Sequence, residues 1–525
     1  MTPYTGPWTK TEAAHLLRRT VFGASNQQIL DVVSNGMQNT VSSILQIPAI
    51  NPPLAYLPEE TIVAPGSTWV NSVYPSDNEA KQACDVARRK SLSVWINQNM
   101  NVGSTNIAEK MVLFWQNHFG VIHASDSRTM YKYLMLLRQN ALGNFKQLIK
   151  DVTIEPSMLL FLNGSSNTVN SPNENYAREL LELFSIGKGP QIATGDYSTY
   201  TEEDVAAGAK ILTGFKVTGL KSDTLTEVTT SFNPLLHDNS SKQLSYHFNN
   251  QIINANGEQE YEDFIDVIFS YNQVATHICK KLYIYFVSSD LSPTVLSDII
   301  PSLATTLISN NYEILPVLNQ LFTSEHFYDI TVRGAIIRSP YEMVYGILNA
   351  TGSTPNFDFT SNSESYLDMF NYLSNNLGQD YQNPPSVSGW SSYYQSPSFS
   401  KLWINSFYIK KRFDFVDSMV NVGFSNSTTF FNINLLGFLD GLSVPNDPSI
   451  VIDDICEVFF PKEISATDKL YLKGILTNGL PDFEWTDQYT EYIIDASNPV
   501  VADPVKLRIR LVLKTVLKMP QYQTI

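Results

Sequence analysis

The sequence predicts a mainly α protein, a multi-helix body with a small β-hairpin insertion. Apolar residues recur at three- and four-residue spacing through most of the first two-thirds. Ser/Thr caps and terminal glycines punctuate those stretches. Only 16% of residues are charged against 43% hydrophobic, a globular rather than disordered composition.

Taken in order, TKTEAAHLLRRTVFG opens on Thr9 or Thr11 as a cap and closes near Gly23. Ser25 to Gly36 then reads as a second capped helix, making a helical hairpin. Pro48 to Asp77 carries enough Pro and Gly to be an irregular crossing, and helices resume near Asn78. ARRKSLSVWINQNM, NIAEKMVLFWQNHF, MYKYLMLLRQNALG and FKQLIKDVTIEPSMLLFL supply the multi-helix core. In SPNENYARELLELFSIG, Ser171 is expected to cap, Pro172 to take the first helical position, Glu174 to complete a capping box and Gly187 to stop the helix. YTEEDVAAGAKILTGF repeats the pattern, with Thr201 as cap, Asp204 closing its box and Gly214 at the end.

Alternation in KVTGLKSDTLTEVTTSF predicts the hairpin, followed by helices near 259–272, 274–288 and 292–309. Residues 351–365 read as a linker, and a second break spans Asn375 to Ser400 before a helix around Leu402 to Val420. This divides the chain into a main helical domain, 1–350, with a β insertion near 216–250, and a C-terminal helical portion, 366–525, packed on it or continuous with it.

A net charge of −16 repels phosphate backbones and anionic membranes, so nucleic acid is not an expected partner. Cys84, Cys279 and Cys456 match no zinc spacing, and their odd number leaves at least one thiol outside any internal disulfide. No apolar run reaches the roughly 18 to 20 residues of a membrane span. The first nineteen residues lack a signal-peptide core, so the protein is expected in the cytoplasm, or exported or periplasmic if a leader has been removed.

Chemistry is expected where charge is densest among apolar residues. Glu179 and Glu182, three apart, share one helix face and suit a metal or an acid/base pair. Arg178, four residues from both Glu174 and Glu182, offers the blander alternative of surface ion pairs worth about 0.2–0.5 kcal/mol each. His118 lies on an apolar stripe beside Asn117 and His123, and can be a packed core residue or a ligand or base. His237 sits in a loop with Asp238 and Lys242, where side chains are free to converge. His15 reads as packed between helices, whereas His247, His277 and His326 have no accompanying constellation. Asp204 is primarily a cap and secondarily a ligand. The site is thus expected from His118, Glu179, Glu182 and His237, with Asp204 and Arg178 as additions. Carboxylates with imidazoles suit divalent Mn, Fe or Zn better than Ca. Such an ion would acidify a bound water or organise a redox substrate, with a free Glu as base. Without metal, Glu179 and His118 would form an acid/base pair suited to hydrolysis. GxSxG, P-loop and HExxH motifs are absent.

EAAHLLRRTVFGA (12–24), FWQNHF (114–119), NALGNFKQLI, PSMLLFLN, PNENYARELLELFSIG (172–187), YTEEDVAAGAKILTGF (200–215), HDNSSK (237–242) and PPSVSGW (384–390) occur in an order that resembles a large bacterial family, domain of unknown function 1800. The resemblance implies a mainly helical protein, often exported and often encoded beside sulfatase-like proteins, with no settled reaction. Family members often carry His where this chain has Phe184, so no ligand role passes to that position. Two classes of function follow: an uncharacterised metal-dependent or acid/base enzyme, or a noncatalytic scaffold acting with a sulfatase-like partner. In the second, the Tyr and Trp residues of GWSSYYQ (389–395) would form an exposed contact surface.

Overall fold

The computed structural model describes residues 1–103, 105–123, 125–353, 359–424 and 431–525, and only the backbone of 359–361. Local hydrogen bonding sets its start. Thr9 with Glu12, and Ser25 with Gln28, form reciprocal capping boxes at α1 (Lys10–Thr20) and α2 (Asn26–Asn35), which pack as a hairpin. α3 (Met37–Ile44) follows, and the crossing after it is irregular apart from a bridge between Leu54 and Thr68. Asp77 caps α4 (Asn78–Met100), which begins where the sequence predicts. α5 (Ala108–Phe119), α6 (Ser127–Gln139), α7 (Phe145–Thr153) and α8 (Pro156–Phe161) complete the first layer of the core.

α9 (Asn175–Glu179) departs from expectation at both ends. Asn167 Oδ1 accepts from Asn173 N and Asn173 Oδ1 from Asn175 N, both at 2.9 Å, so asparagine-held turns precede the helix. Ser171 is bonded back to the Thr168 carbonyl, and Glu174 pairs with Arg178 instead of completing a box. The helix leaves through one wide π turn, Leu180–Phe184, before Gly187.

Beyond it lie β1 (Gln191–Ala193) and β2 (Asp196–Tyr197), then α10 (Glu202–Ile211), with the predicted Thr201–Asp204 box. β3 (Phe215–Thr218) pairs antiparallel with β4 (Thr229–Phe232), Phe215 opposite Phe232; β5 (Lys242–Gln243) pairs with β6 (Ile252–Ile253). The β insertion is therefore two small hairpins in succession. α11 (Glu260–Phe269), α12 (Gln273–Phe286), α13 (Ile300–Ser309), α14 (Ile314–Phe322) and α15 (Pro340–Ala350) return to the helical core.

Of the expected linker, residues 354–358 lie outside the described residues, and from residue 359 the chain is helical. In α16 (Phe359–Asn375), Met369 and Leu373 are buried at a four-residue spacing, and the helix lies along α4. That apolar stripe outweighs the Ser and Asn that suggest a loop. After α17 (Ser391–Tyr394) come α18 (Ser406–Asn421), α19 (Leu435–Asp440), α20 (Pro448–Phe459), α21 (Ala466–Thr477), α22 (Asp482–Ile494) and α23 (Pro499–Val516). All three cysteines are buried free thiols. Among the described residues no helix is long and apolar enough to cross a membrane.

Candidate functional site

A π turn closes its hydrogen bonds one residue wider than the α-helix it interrupts, and the last carbonyls of a helix have no partner within it. Here those carbonyls are taken up by side chains of two other helices. His118 Nε2, at the end of α5, donates to the Phe184 carbonyl at 3.1 Å. From α12, His277 Nε2 and Lys281 Nζ both donate to the Leu183 carbonyl, at 3.2 and 2.9 Å. The Lys281 amine also reaches His118 Nδ1 at 3.1 Å. Because Nε2 carries the proton given to Phe184, the Nδ1 lone pair of His118 is left to accept from Lys281.

These groups line a cavity of about 670 Å³. One wall is α12, with Thr276, Lys280 and Tyr285; another is the strap Gly187–Pro190; a third is the segment Ser388 to Phe399, including Tyr393. Close backbone approach holds the third wall. Gly389 has φ +81°, where a side chain would be strained, and a Cβ there would collide with the Asn117 backbone oxygen. Asn117 Oδ1 accepts from Trp390 N at 2.9 Å. Trp390 is 2% exposed, which corrects the expectation of an exposed Trp in GWSSYYQ; Tyr394 is 40% exposed, and it and Tyr393 line the cavity.

Among the described residues, the cavity lining holds three lysines and two histidines and no carboxylate. Burial pushes the Lys281 amine down to about 7 and, helped by Lys281, the His277 imidazole to about 3. His118, 2% exposed among Phe114, Trp115, Phe119, Phe145 and Phe184, is held well below the usual histidine range by burial. Both imidazoles are neutral at physiological pH.

The other expected residues divide among different surroundings. Glu182 accepts from Lys188 at 2.9 Å and from the Tyr200 hydroxyl at 3.1 Å, so it steers a lysine at the cavity mouth without lining the cavity. Glu179 stands beside it, half-buried; burial, followed by the Glu182 charge, raises its carboxyl to about 7. Arg178 turns from both, to Glu202 through two bonds of 2.8 Å and to Glu174 at 3.0 Å. Asp204 accepts from Thr201 N and from Ser245 N and Oγ, each at 2.7 Å. All of its acceptor capacity goes into capping α10 and anchoring the second hairpin.

His237 is in a separate buried network. Its Nδ1 faces the Thr213 carbonyl at 2.9 Å and its Nε2 faces Glu260 Oε1 at 3.0 Å, while Lys242 Nζ lies 2.5 Å from Glu260 Oε2. Glu260, unnoticed in the sequence, also accepts from Asn256 N and Gly257 N. His15 Nε2 donates to the Phe327 carbonyl at 2.9 Å, packed as expected. His123 meets Ser127 Oγ at 3.2 Å, away from His118. Among the described residues no three His, Cys, Asp or Glu side chains converge as a metal ion requires. At the cavity, both histidines have already committed Nε2 to carbonyls, a poor donor set for a transition ion.

Sequence reasoning thus passed over His277 and Lys281. Their four-residue spacing in HICKK places both on one face of α12, the one signal available. Their carbonyl partner belongs to a turn whose widening has no clear sequence mark.

A family model described as protein of unknown function (DUF1800) matches residues 15–524, nearly the whole chain. No curated protein and no solved structure matches.

Proposed function

This chain belongs to the DUF1800 family, and on that premise we propose that its cavity is an acid/base site for an anionic substrate, with His118 and Lys281 as the acting pair. The observation that carries the reading is the 3.1 Å contact between Lys281 Nζ and His118 Nδ1 at the wall of a cavity lined by lysines without carboxylates. An amine near 7 serves as base or acid at neutral pH with little loss in either direction. Lys188 and Lys280 supply the positive field that would hold an anion, and the tyrosine and phenylalanine side chains of the lining give it apolar surface. In this reading Glu182 positions Lys188, and His237 and Asp204 maintain the fold. In the scaffold alternative, with a sulfatase-like partner, the contact surface would rest on Tyr394, since Trp390 is buried.

The test is ligand binding followed by calorimetry and thermal shift on the full chain, using benzoate, inorganic phosphate and, as a cationic control, benzylamine. The anions are expected to bind and to lose about tenfold in affinity in Lys281→Gln, a change of about 1.4 kcal/mol. Equal binding by the variant, or preference for benzylamine, sinks the proposal. Metal content by mass spectrometry after chelator washing should be the same in the native protein and His118→Ala; a stoichiometric ion lost in the variant would favour a metal site instead.

A further inference from the structure

We propose that Lys281 is a covalent nucleophile, condensing through its amine with the carbonyl carbon of an aldehyde or ketone that carries an anionic group. This rests on the acid/base reading of the same cavity and narrows its substrate class. A neutral amine has two N–H donors and one lone pair. At Lys281 there are two acceptors, the Leu183 carbonyl at 2.9 Å and His118 Nδ1 at 3.1 Å. With both donors engaged, the lone pair is directed away from the two acceptors, and Nζ borders the cavity. No carboxylate lines that cavity among the described residues to hold the amine as an ammonium, and the neighbouring groups, His118, His277, Lys280 and Lys188, are neutral or cationic. Desolvation beside cationic groups is how a lysine is made nucleophilic. Those cations also select the ligand: a carbonyl compound bearing a carboxylate or phosphate is drawn in, whereas a cationic one is repelled.

The step balances without an added oxidant or reductant. The Nζ lone pair forms the C–N bond and the carbonyl π pair moves to oxygen. One proton passes from Nζ to His118 Nδ1 and on to that oxygen, giving a carbinolamine. The second follows the same route, the oxygen leaves as water, and a C=N bond remains. Both protons of the amine thus depart with the carbonyl oxygen, and His118 ends as it began.

The experiment is reductive trapping of the full chain with glyoxylate and cyanoborohydride at pH 7, read by peptide mapping, with formaldehyde as an uncharged comparison. Carboxymethylation at Lys281 is expected about tenfold faster than at any other lysine. It should be absent in Lys281→Arg, retained in Lys410→Arg, where the lysine is exposed on α18 away from the cavity lining, and slowed in His118→Gln. Glyoxylate should be favoured over formaldehyde at Lys281 but not at surface lysines. Labelling spread evenly over the lysines overturns the proposal. Carbon-13 dimethyl-lysine NMR then separates the causes: an untrapped Lys281 titrating near neutrality overturns the covalent step alone, and one titrating near 10 overturns the acid/base reading with it.

Discussion

At the scale of single residues, Glu179 shows how one burial changes the meaning of a motif. The two nearby cations are paired with other carboxylates, Arg178 with Glu202 and Lys188 with Glu182. Its carboxyl, raised to about 7, is therefore favoured in the protonated form by folding. The sign follows: a carboxyl that binds its proton more tightly in the folded state contributes most below its unfolded pKa of about 4.5. That contribution is lost as pH rises towards about 7. Glu179→Gln should therefore match the native protein at pH 4.5 and exceed it at pH 8, by about 1 kcal/mol after allowing for solvent screening. Urea titrations at the two pH values check this; a variant less stable at pH 8 would mean the carboxylate is paired in solution. Glu260 behaves oppositely. It is fully buried between His237 and Lys242, and Glu260→Gln should cost about 3–5 kcal/mol in thermal or urea unfolding because Lys242 is left uncompensated. Neither outcome can be assigned from the residue types, since both are glutamates at helices.

At the scale of elements, the π turn of α9 and the strap after it are one device. The turn delivers two carbonyls to α5 and α12, and the strap closes it through bonds from Gly187 N to Leu181 O and from Lys188 N to Glu182 O. Gly187 sits at φ +79°, and a Cβ would run into His277 Nδ1. Gly187→Ala is expected to destabilise by about 1–3 kcal/mol and to displace His277 from the Leu183 carbonyl, with slower trapping at Lys281. Unchanged stability and trapping in the variant would show that the strap does not set the site. The helix endings that bear on this site were legible only in part. Thr201 and Asp204 announce α10 because a capping box is four residues of local chemistry. Ser171 and Glu174 fit the same motif, yet Asn167 and Asn173 compete for that backbone and win.

At the scale of the whole molecule, contacts run across the division expected near residues 351–365. α16 lies along α4; Arg338 Nε donates to the Tyr522 carbonyl at 2.7 Å; Arg412 donates to the Arg338 carbonyl, also at 2.7 Å. Residues 1–350 and 366–525 should consequently unfold together, with tryptophan fluorescence and far-ultraviolet circular dichroism giving coincident urea transitions. Two separated transitions would establish two independent units. The fold class, most helix positions, the β insertion and the family were determined by the sequence alone, because caps, periodicity and turn residues act over a few neighbours. The tertiary structure alone decided which charged groups meet. His118 and Lys281 are 163 residues apart, and they touch only because a widened turn near residue 183 offers adjacent carbonyls to two helices at once. Burial then removes the water that would have kept the amine charged, and neither the distance nor the desolvation is written in the spacing of residues.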